Sequence, residues 1–284
     1  MRNRIITTVV MCMALFVASS FAQNNGMLTR KVTRSDRLDF GAGGTVSITG
    51  APLGSIKVVG GSTNEIEITA QIELQAITED DLSLLEAVTG FATPDESILK
   101  TSIVSVGTNN KQGDKKLWKK FPKNLLGLPY RIDYVIIVPK YTDLEIEGGA
   151  GALSISGVQG SMRINFLETD AHIDMIAGSL MATIASGTVD VGLGIKGWTA
   201  RPAIIRVGKG NLTVRLPSNA SADLDATILR TGTIENSLPD LKQRDRKVGF
   251  TDKSIMAKAG AGGTEVKFTV GDGTLRLQRL AGSN

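Results

Sequence analysis

The chain has 284 residues, 42% of them apolar and 21% charged, which supports a buried core and excludes a disordered chain. One cysteine and one histidine exclude an intramolecular disulfide framework and a thiolate zinc site, and they leave Ser-His-Asp chemistry dependent on a single ring. Thirty-two glycines with 5% aromatics and eight prolines fit many short strands joined by turns, so the expected class is all-β.

Arg2 and Arg4 precede the apolar run Ile5 to Val17, and small residues follow up to Ser20-Phe21-Ala22. This is the order of regions in a secretory signal peptide, and cleavage is expected between Ala22 and Gln23. Cys12 leaves with residues 1–22. A lipoprotein beginning at Cys12 is disfavoured by Met11 before it and by the apolar run that continues beyond it. Losing Arg2 and Arg4 takes the basic residues from 32 to 30 against 28 acidic ones, a net charge of +2. No later apolar run approaches the ~20 residues of a spanning helix. The expectation is an exported protein, periplasmic, cell-surface or extracellular, with no transmembrane segment after cleavage.

Residues 23–39 read as a flexible N-terminal segment. Thr45 to Ile48, Ser55 to Val59 and Ile66 to Leu74 read as strands, with Gly50, Gly54, Gly60 and Gly61 at turns. Thr78-Glu-Asp-Asp81 resembles a capping box leading into Leu82, Leu85 and Val88, which predicts one short helix over 79–90 that caps an end of the domain. Ile98 to Val106 and Tyr130 to Val138 are further strands, the second ended by Pro139.

Three consecutive blocks then align: Asp143 to Gly160, Ser161 to Gly178 and Ser179 to Gly197, of 18, 18 and 19 residues. Leu144, Met162 and Leu180 coincide, as do Ile146, Ile164 and Ala182, then Leu153, Ala171 and Val189, then Ile155, Ile173 and Val191. Each block carries two period-two stretches separated by a polar or glycine-containing corner, the pattern of strands buried on one face. A single block buries too little apolar surface to offset a backbone cost of ~1–2 kcal/mol per residue, so the blocks must stack. The predicted fold is a β-solenoid of ~18–23-residue rungs spaced ~4.8 Å apart. The alternation continues through Leu212, Val214 and Leu216, then Leu224 and Ala226, then Ile234, and finally Val266 to Leu277. Leu238 to Lys258 is polar enough to read as a loop. Residues 40–280 form the expected single domain, and 281–284 a tail.

These features resemble the bacterial "putative adhesin" family of β-strand-repeat proteins, itself a domain of unknown function. The resemblance rests on GGTVSITGAPLGSIKVVGG at 43–61, Val138-Pro139-Lys140 before the repeats, and LPSNASADLDA at 216–226. Gly148-Gly149-Ala150-Gly151, Ser186-Gly187-Thr188-Val189 and Thr231-Gly232-Thr233-Ile234 are partial versions of the family's repeated unit. The resemblance covers residues 40–280. It implies an exported solenoid and carries over no catalytic residue.

Gly41-Ala-Gly43-Gly44 and Gly260-Ala-Gly262-Gly263 lack the strand-to-helix context of a phosphate cradle and read as turns. His172 is expected to face outward. Glu168, Asp170, Asp174 and Asp190 also read as outward charge, with Asp174 and Asp190 near one another on neighbouring rungs, as a glycoside hydrolase or a hard metal ion would require. The most unusual stretch holds Lys111, Lys115, Lys116, Trp118, Lys119, Lys120, Phe121 and Lys123. Lysines around aromatics suit an anionic surface, such as lipid headgroups or acidic polysaccharide. Nucleic acid fits poorly with export and a net charge of +2. The leading expectation is a non-enzymatic envelope protein without cofactor or metal that presents a repetitive surface to an unknown surface partner. The alternatives are a polysaccharide hydrolase or lyase acting through outward carboxylates, and an envelope-stress sensor or scaffold.

Overall fold

The computed structural model describes residues 26–108, 123–194, 200–245 and 247–281. The expected leader, residues 1–22, lies outside the described residues. In chain order the elements are β1 (Leu28–Asp39), β2 (Thr45–Thr49), β3 (Ile56–Gly61), β4 (Glu65–Ala76), α1 (Glu79–Val88), β5 (Gly90–Ala92), β6 (Glu96–Ser97) and β7 (Lys100–Val106). There follow β8 (Tyr130–Pro139), β9 (Asp143–Ala150), β10 (Leu153–Ser156), β11 (Met162–Asp174), β12 (Gly178–Gly192) and β13 (Ala200–Leu216). The chain closes with β14 (Ala222–Ile228), β15 (Gly232–Asn236), β16 (Lys242–Gln243), β17 (Ser254–Ala259) and β18 (Thr264–Arg279). The protein is all-β with one α-helix among the described residues, and its large sheet does not close into a barrel.

The strands stack in parallel along two arms. On the first, β7, β2, β9, the leading halves of β11, β12, β13 and β18, and then β14 are successive neighbours. On the second, β8, β3, β10, the trailing halves of β11, β12, β13 and β18, and then β15 follow one another. The register aligned from the repeats is the one observed: Ile155 pairs with Ile173 and Ile173 with Val191, and all three are fully buried. Alternation along each strand sends one set of side chains into the core and the other to solvent.

Chain order is not stack order at either end. Residues 62–142 leave the β2–β3 level and return as β7 and β8 on its outer side, so β9 and β10 lie on its inner side. At the other end β18 is inserted between β13 and the β14–β15 level, although it comes last in the chain. The physical reason is completeness. β18 runs 16 residues without a break and buries Val266, Phe268, Val270, Leu275 and Leu277, so both its edges match a neighbour. The β14–β15 level is interrupted at residues 229–231 and offers only Ile234 on its second arm, which suits an end position.

Antiparallel strands close both ends. β4 pairs with β8 and β1 with β4, while β5 and β6 pair with β7. β17 lies on β14, and β16 on β17. Two expectations are corrected here. The N-terminal segment expected to be flexible is from Leu28 to Asp39 a 12-residue strand, because β4 offers it an unbroken partner and α1 takes up its charges. The expected loop over 238–258 contains β16 and most of β17, whose Ile255, Ala257 and Ala259 are buried on one face.

The helix starts where its cap places it, with Thr78 Oγ1 accepting from the Asp81 N–H at 3.1 Å. Leu82 and Leu85 are buried, and Arg30 of β1 pairs with Glu86 at 2.7 Å and also with Glu79.

Between the two arms the chain turns a tight corner, repeated at Gly54, Gly151, Gly187, Gly210, Gly273 and Gly232, all with φ between 128° and 151°. A Cβ on any of them would stand 1.7–1.9 Å from a carbonyl oxygen of the adjacent level. Thr169 occupies this file between Gly151 and Gly187. It is 2% exposed, and its hydroxyl has no hydrogen-bond partner among the described residues. Thr169→Val keeps the shape and removes a buried unsatisfied group, so it is expected to raise stability by about 1–2 kcal/mol. Urea denaturation checks this, and a lower midpoint in the variant would contradict it.

Candidate functional site

The parallel register converts outward positions into files with one residue per level. On the second arm the central file reads Lys57, Ser154, His172, Asp190, Thr213, Arg276 and Glu235. The next file places Asp174 beside Gly192 and Gly192 beside Arg215. Glycine at the middle level leaves room for Arg215 to reach back across it.

The result is a four-residue network on the open face. His172 Nε2 stands 3.1 Å from Asp174 Oδ2, and its Nδ1 is 3.5 Å from Asp190 Oδ2. Arg215 donates from Nη2 to Asp174 Oδ1 at 3.1 Å and from Nε to Asp190 Oδ1 at 2.8 Å. A neutral imidazole donates from one nitrogen, so it serves both carboxylates as a donor only when protonated. Both carboxylates already accept from one guanidinium. Glycoside hydrolysis needs one carboxyl free to give a proton and one free to attack or activate water. This cluster presents neither. Glu168 and Asp170 lie beside Ser186 and Thr188 on the next level and do not join it. Among the described residues no set of three His, Cys, Asp or Glu stands where it could hold a metal ion.

His172 and Asp190 were legible as neighbours from the 18-residue spacing. Arg215 was not, because the next level begins after a longer interval; extending the register through Thr213 would have found it. The histidine, expected to face outward, is half exposed and stands between two carboxylates.

Of the lysine-rich cluster, Lys111, Lys115, Lys116, Trp118, Lys119, Lys120 and Phe121 lie outside the described residues. Lys123 is exposed and opens a short 3-10 turn over Lys123–Leu125. Leu125 is fully buried, Asn124 Nδ2 donates to Asp81 Oδ1 of α1 at 2.7 Å, and Thr108 Oγ1 donates to the Leu128 carbonyl at 3.2 Å. Both flanks of the segment are thus held at the α1 end of the stack, at the corner between β7 and β8.

The same end carries exposed apolar side chains. Ile98 and Leu99 form the tip of the β6–β7 hairpin, and their carbonyls accept from Gly41 and Thr45. Exposed Tyr141 lies on the other side of the Gly41–Gly44 turn, its carbonyl bound by the Gly43 N–H and its ring 5.2 Å from Lys140 Nζ. At the opposite end a shallow cleft is lined by Leu216, Pro217, Leu238, Ala259 and Arg279, with Arg279 paired to Asp240. Ser218 and Asp240 also line it. No helix among the described residues is long and apolar enough to cross a membrane.

No protein-family model and no curated protein matches the chain. Solved bacterial structures named for adhesion are similar to it. A "putative cell adhesion protein" of Clostridium sporogenes is 12% identical, covering 89% of this chain and 100% of that one at a TM-score of 0.44. A "putative adhesin" of Bacteroides fragilis is 8% identical, covering 88% and 97% at a TM-score of 0.30. A third, from Parabacteroides merdae, is 11% identical, covering 89% and 97% at a TM-score of 0.20.

Proposed function

We propose that this chain is an exported, non-enzymatic β-solenoid that presents the outer files of its rungs as a repetitive surface for interaction or adhesion in the bacterial cell envelope. In this reading residues 1–22 are removed on export, 40–280 together with β1 act as one solenoid domain, and 281–284 are a tail. The observation that carries it is the parallel register, which fills the interior with apolar side chains and leaves chemistry only on open outer files. An outer file of one residue per rung, spaced ~4.8 Å apart, suits an extended or repetitive partner better than a small molecule.

The partner class we favour is an anionic surface, lipid headgroup or acidic polysaccharide, engaged by Lys111, Lys115, Lys116, Lys119, Lys120 and Lys123 with Trp118 and Phe121. Lysines at an anionic membrane contribute roughly 1 kcal/mol each, and screening within about 8 Å at physiological salt makes the attraction salt-sensitive. The chain beginning at Gln23 is expected to co-sediment with anionic phospholipid vesicles or with purified acidic envelope polymer at low salt, and much less at high salt. Neutralising Lys115, Lys116, Lys119 and Lys120 together should remove most of the binding. Trp118→Ala should weaken it with little change in salt dependence, because the ring supplies apolar contact. Binding that is absent, or that survives the four-lysine replacement, would return the segment to an ordinary surface loop.

A further inference from the structure

β1 is the outermost strand of the second arm. Its 12 residues pair with β4 in unbroken register from Leu28 opposite Ala76 to Asp39 opposite Glu65, and among the described residues nothing pairs with its other edge. The Phe40 N–H donates to the Asn64 carbonyl at 3.0 Å, so the even-numbered residues of β1 make the hydrogen-bonded pairs with β4. The Gln75 N–H donates to the Pro129 carbonyl at 3.2 Å, which turns the odd residues of β4 toward β8 and agrees with that assignment. Thr29, Lys31, Thr33, Ser35, Arg37 and Asp39 therefore aim their N–H and C=O groups at the open edge, and all six are exposed. Soluble proteins blunt such edges with charged side chains of one sign, which repel a second copy, or with proline, bulges or very short strands. β1 has no proline, no glycine and no bulge, and its charges are of both signs.

We propose that β1 is the pairing edge for a second copy of this chain, antiparallel across a two-fold axis at Ser35. Only odd residues aim their backbone groups at this edge, the Arg37 N–H also donating to Asp36 Oδ1 at 2.9 Å, so hydrogen-bonded pairs join odd to odd and the axis passes through a residue, not between two. An axis at Ser35 sets Lys31 opposite Asp39, Arg34 opposite Asp36 and Val32 opposite Leu38, each twice. No like charges face each other. An axis at Arg34 opposes that residue to itself and Lys31 to Arg37. An axis at Asp36 opposes that carboxylate to itself. An axis at Thr33 gains Arg30 opposite Asp36 but sets Val32 against Arg34. Opposite charges directly across a strand pair stabilise it and like charges destabilise it, so the sequence of β1 selects the Ser35 register. Arg34 already donates one N–H to the Glu86 carbonyl at 2.6 Å and keeps other donors for Asp36 of the second copy. Two stacks joined this way lie end to end, their second arms running on as one sheet.

The test uses the chain beginning at Gln23, which has no cysteine because the only one is Cys12. Sedimentation equilibrium is expected to show a concentration-dependent dimer. Under mild oxidation Ser35→Cys should form a disulfide-linked dimer, since paired Cα atoms at the axis lie ~5.5 Å apart, within disulfide reach. Thr33→Cys should not, because four residues of strand at ~3.4 Å each separate the two sulfurs. Ser35→Pro removes an N–H that β4 does not use, so the variant should be a folded monomer with an unchanged circular dichroism spectrum. Should that variant unfold, Lys31→Asp and Asp39→Lys replace it: each alone should weaken the dimer and the two together should restore it. A chain that stays monomeric at its highest soluble concentration would overturn the proposal. So would a dimer that survives Ser35→Pro, or cross-linking of Thr33→Cys as readily as Ser35→Cys.

Discussion

Ile173→Asp is expected to destabilise the protein by about 3 kcal/mol or more, because it places an unpaired carboxylate in a file of aliphatic side chains. Ile173 is fully buried between Ile155 and Val191, and the file continues to Val214 and Leu277. Every one of these positions faces the same interior, so the carboxylate meets no polar group on either neighbouring level. Thr183 is the matched control. It lies on the adjoining level of the first arm, exposed, between Asn165 and Arg206. Thr183→Asp should change stability by less than about 0.5 kcal/mol. Urea denaturation of both variants decides the matter, and equal midpoints would mean that the inward and outward sets are misassigned.

Those two positions were legible before the fold was known, and the reason is local. Blocks of nearly constant length keep equivalent residues in step, so Leu144, Met162 and Leu180 coincide in the sequence and pair in the structure. Stack order at the ends was not legible. β18 and β14 both alternate apolar and polar residues, and which of them lies against β13 depends on how completely each fills a level, a property of the assembled core. β1 was hidden by its own composition: its inner positions hold Arg30, Val32, Arg34 and Asp36, which look like a solvated tail until Glu79 and Glu86 of α1 are placed beside them. The cluster at His172 was half legible for the same reason. Asp174 and Asp190 fall within the regular spacing, whereas Arg215 follows Gly192 by an interval longer than the repeat.

Glycine at the corners separates conformational preference from physical contact. Gly210 has φ 135°, and a Cβ there would stand 1.9 Å from the Gly187 carbonyl oxygen, 2.9 Å from its carbon and 3.1 Å from its nitrogen. All three are backbone atoms of the next level, and they cannot turn aside as a flexible side chain would. Moving them would open the parallel pairing on both sides, since Gly187 itself would press on Thr169 and Gly273 on Gly210 if the spacing changed. Gly210→Ala is therefore expected to cost more than about 4 kcal/mol, or to prevent folding outright. Gly43 makes the same chemical change informative, because its φ is 85° but no atom would lie within 4 Å of the added carbon. There the loss should be only the left-handed penalty, about 1–2 kcal/mol. Denaturant midpoints and thermal unfolding of the two alanine variants measure the difference. If both lose the same amount, the corner glycines are needed only for their backbone angles; a much larger loss at Gly210 means that the close approach of successive levels fixes glycine at the corner.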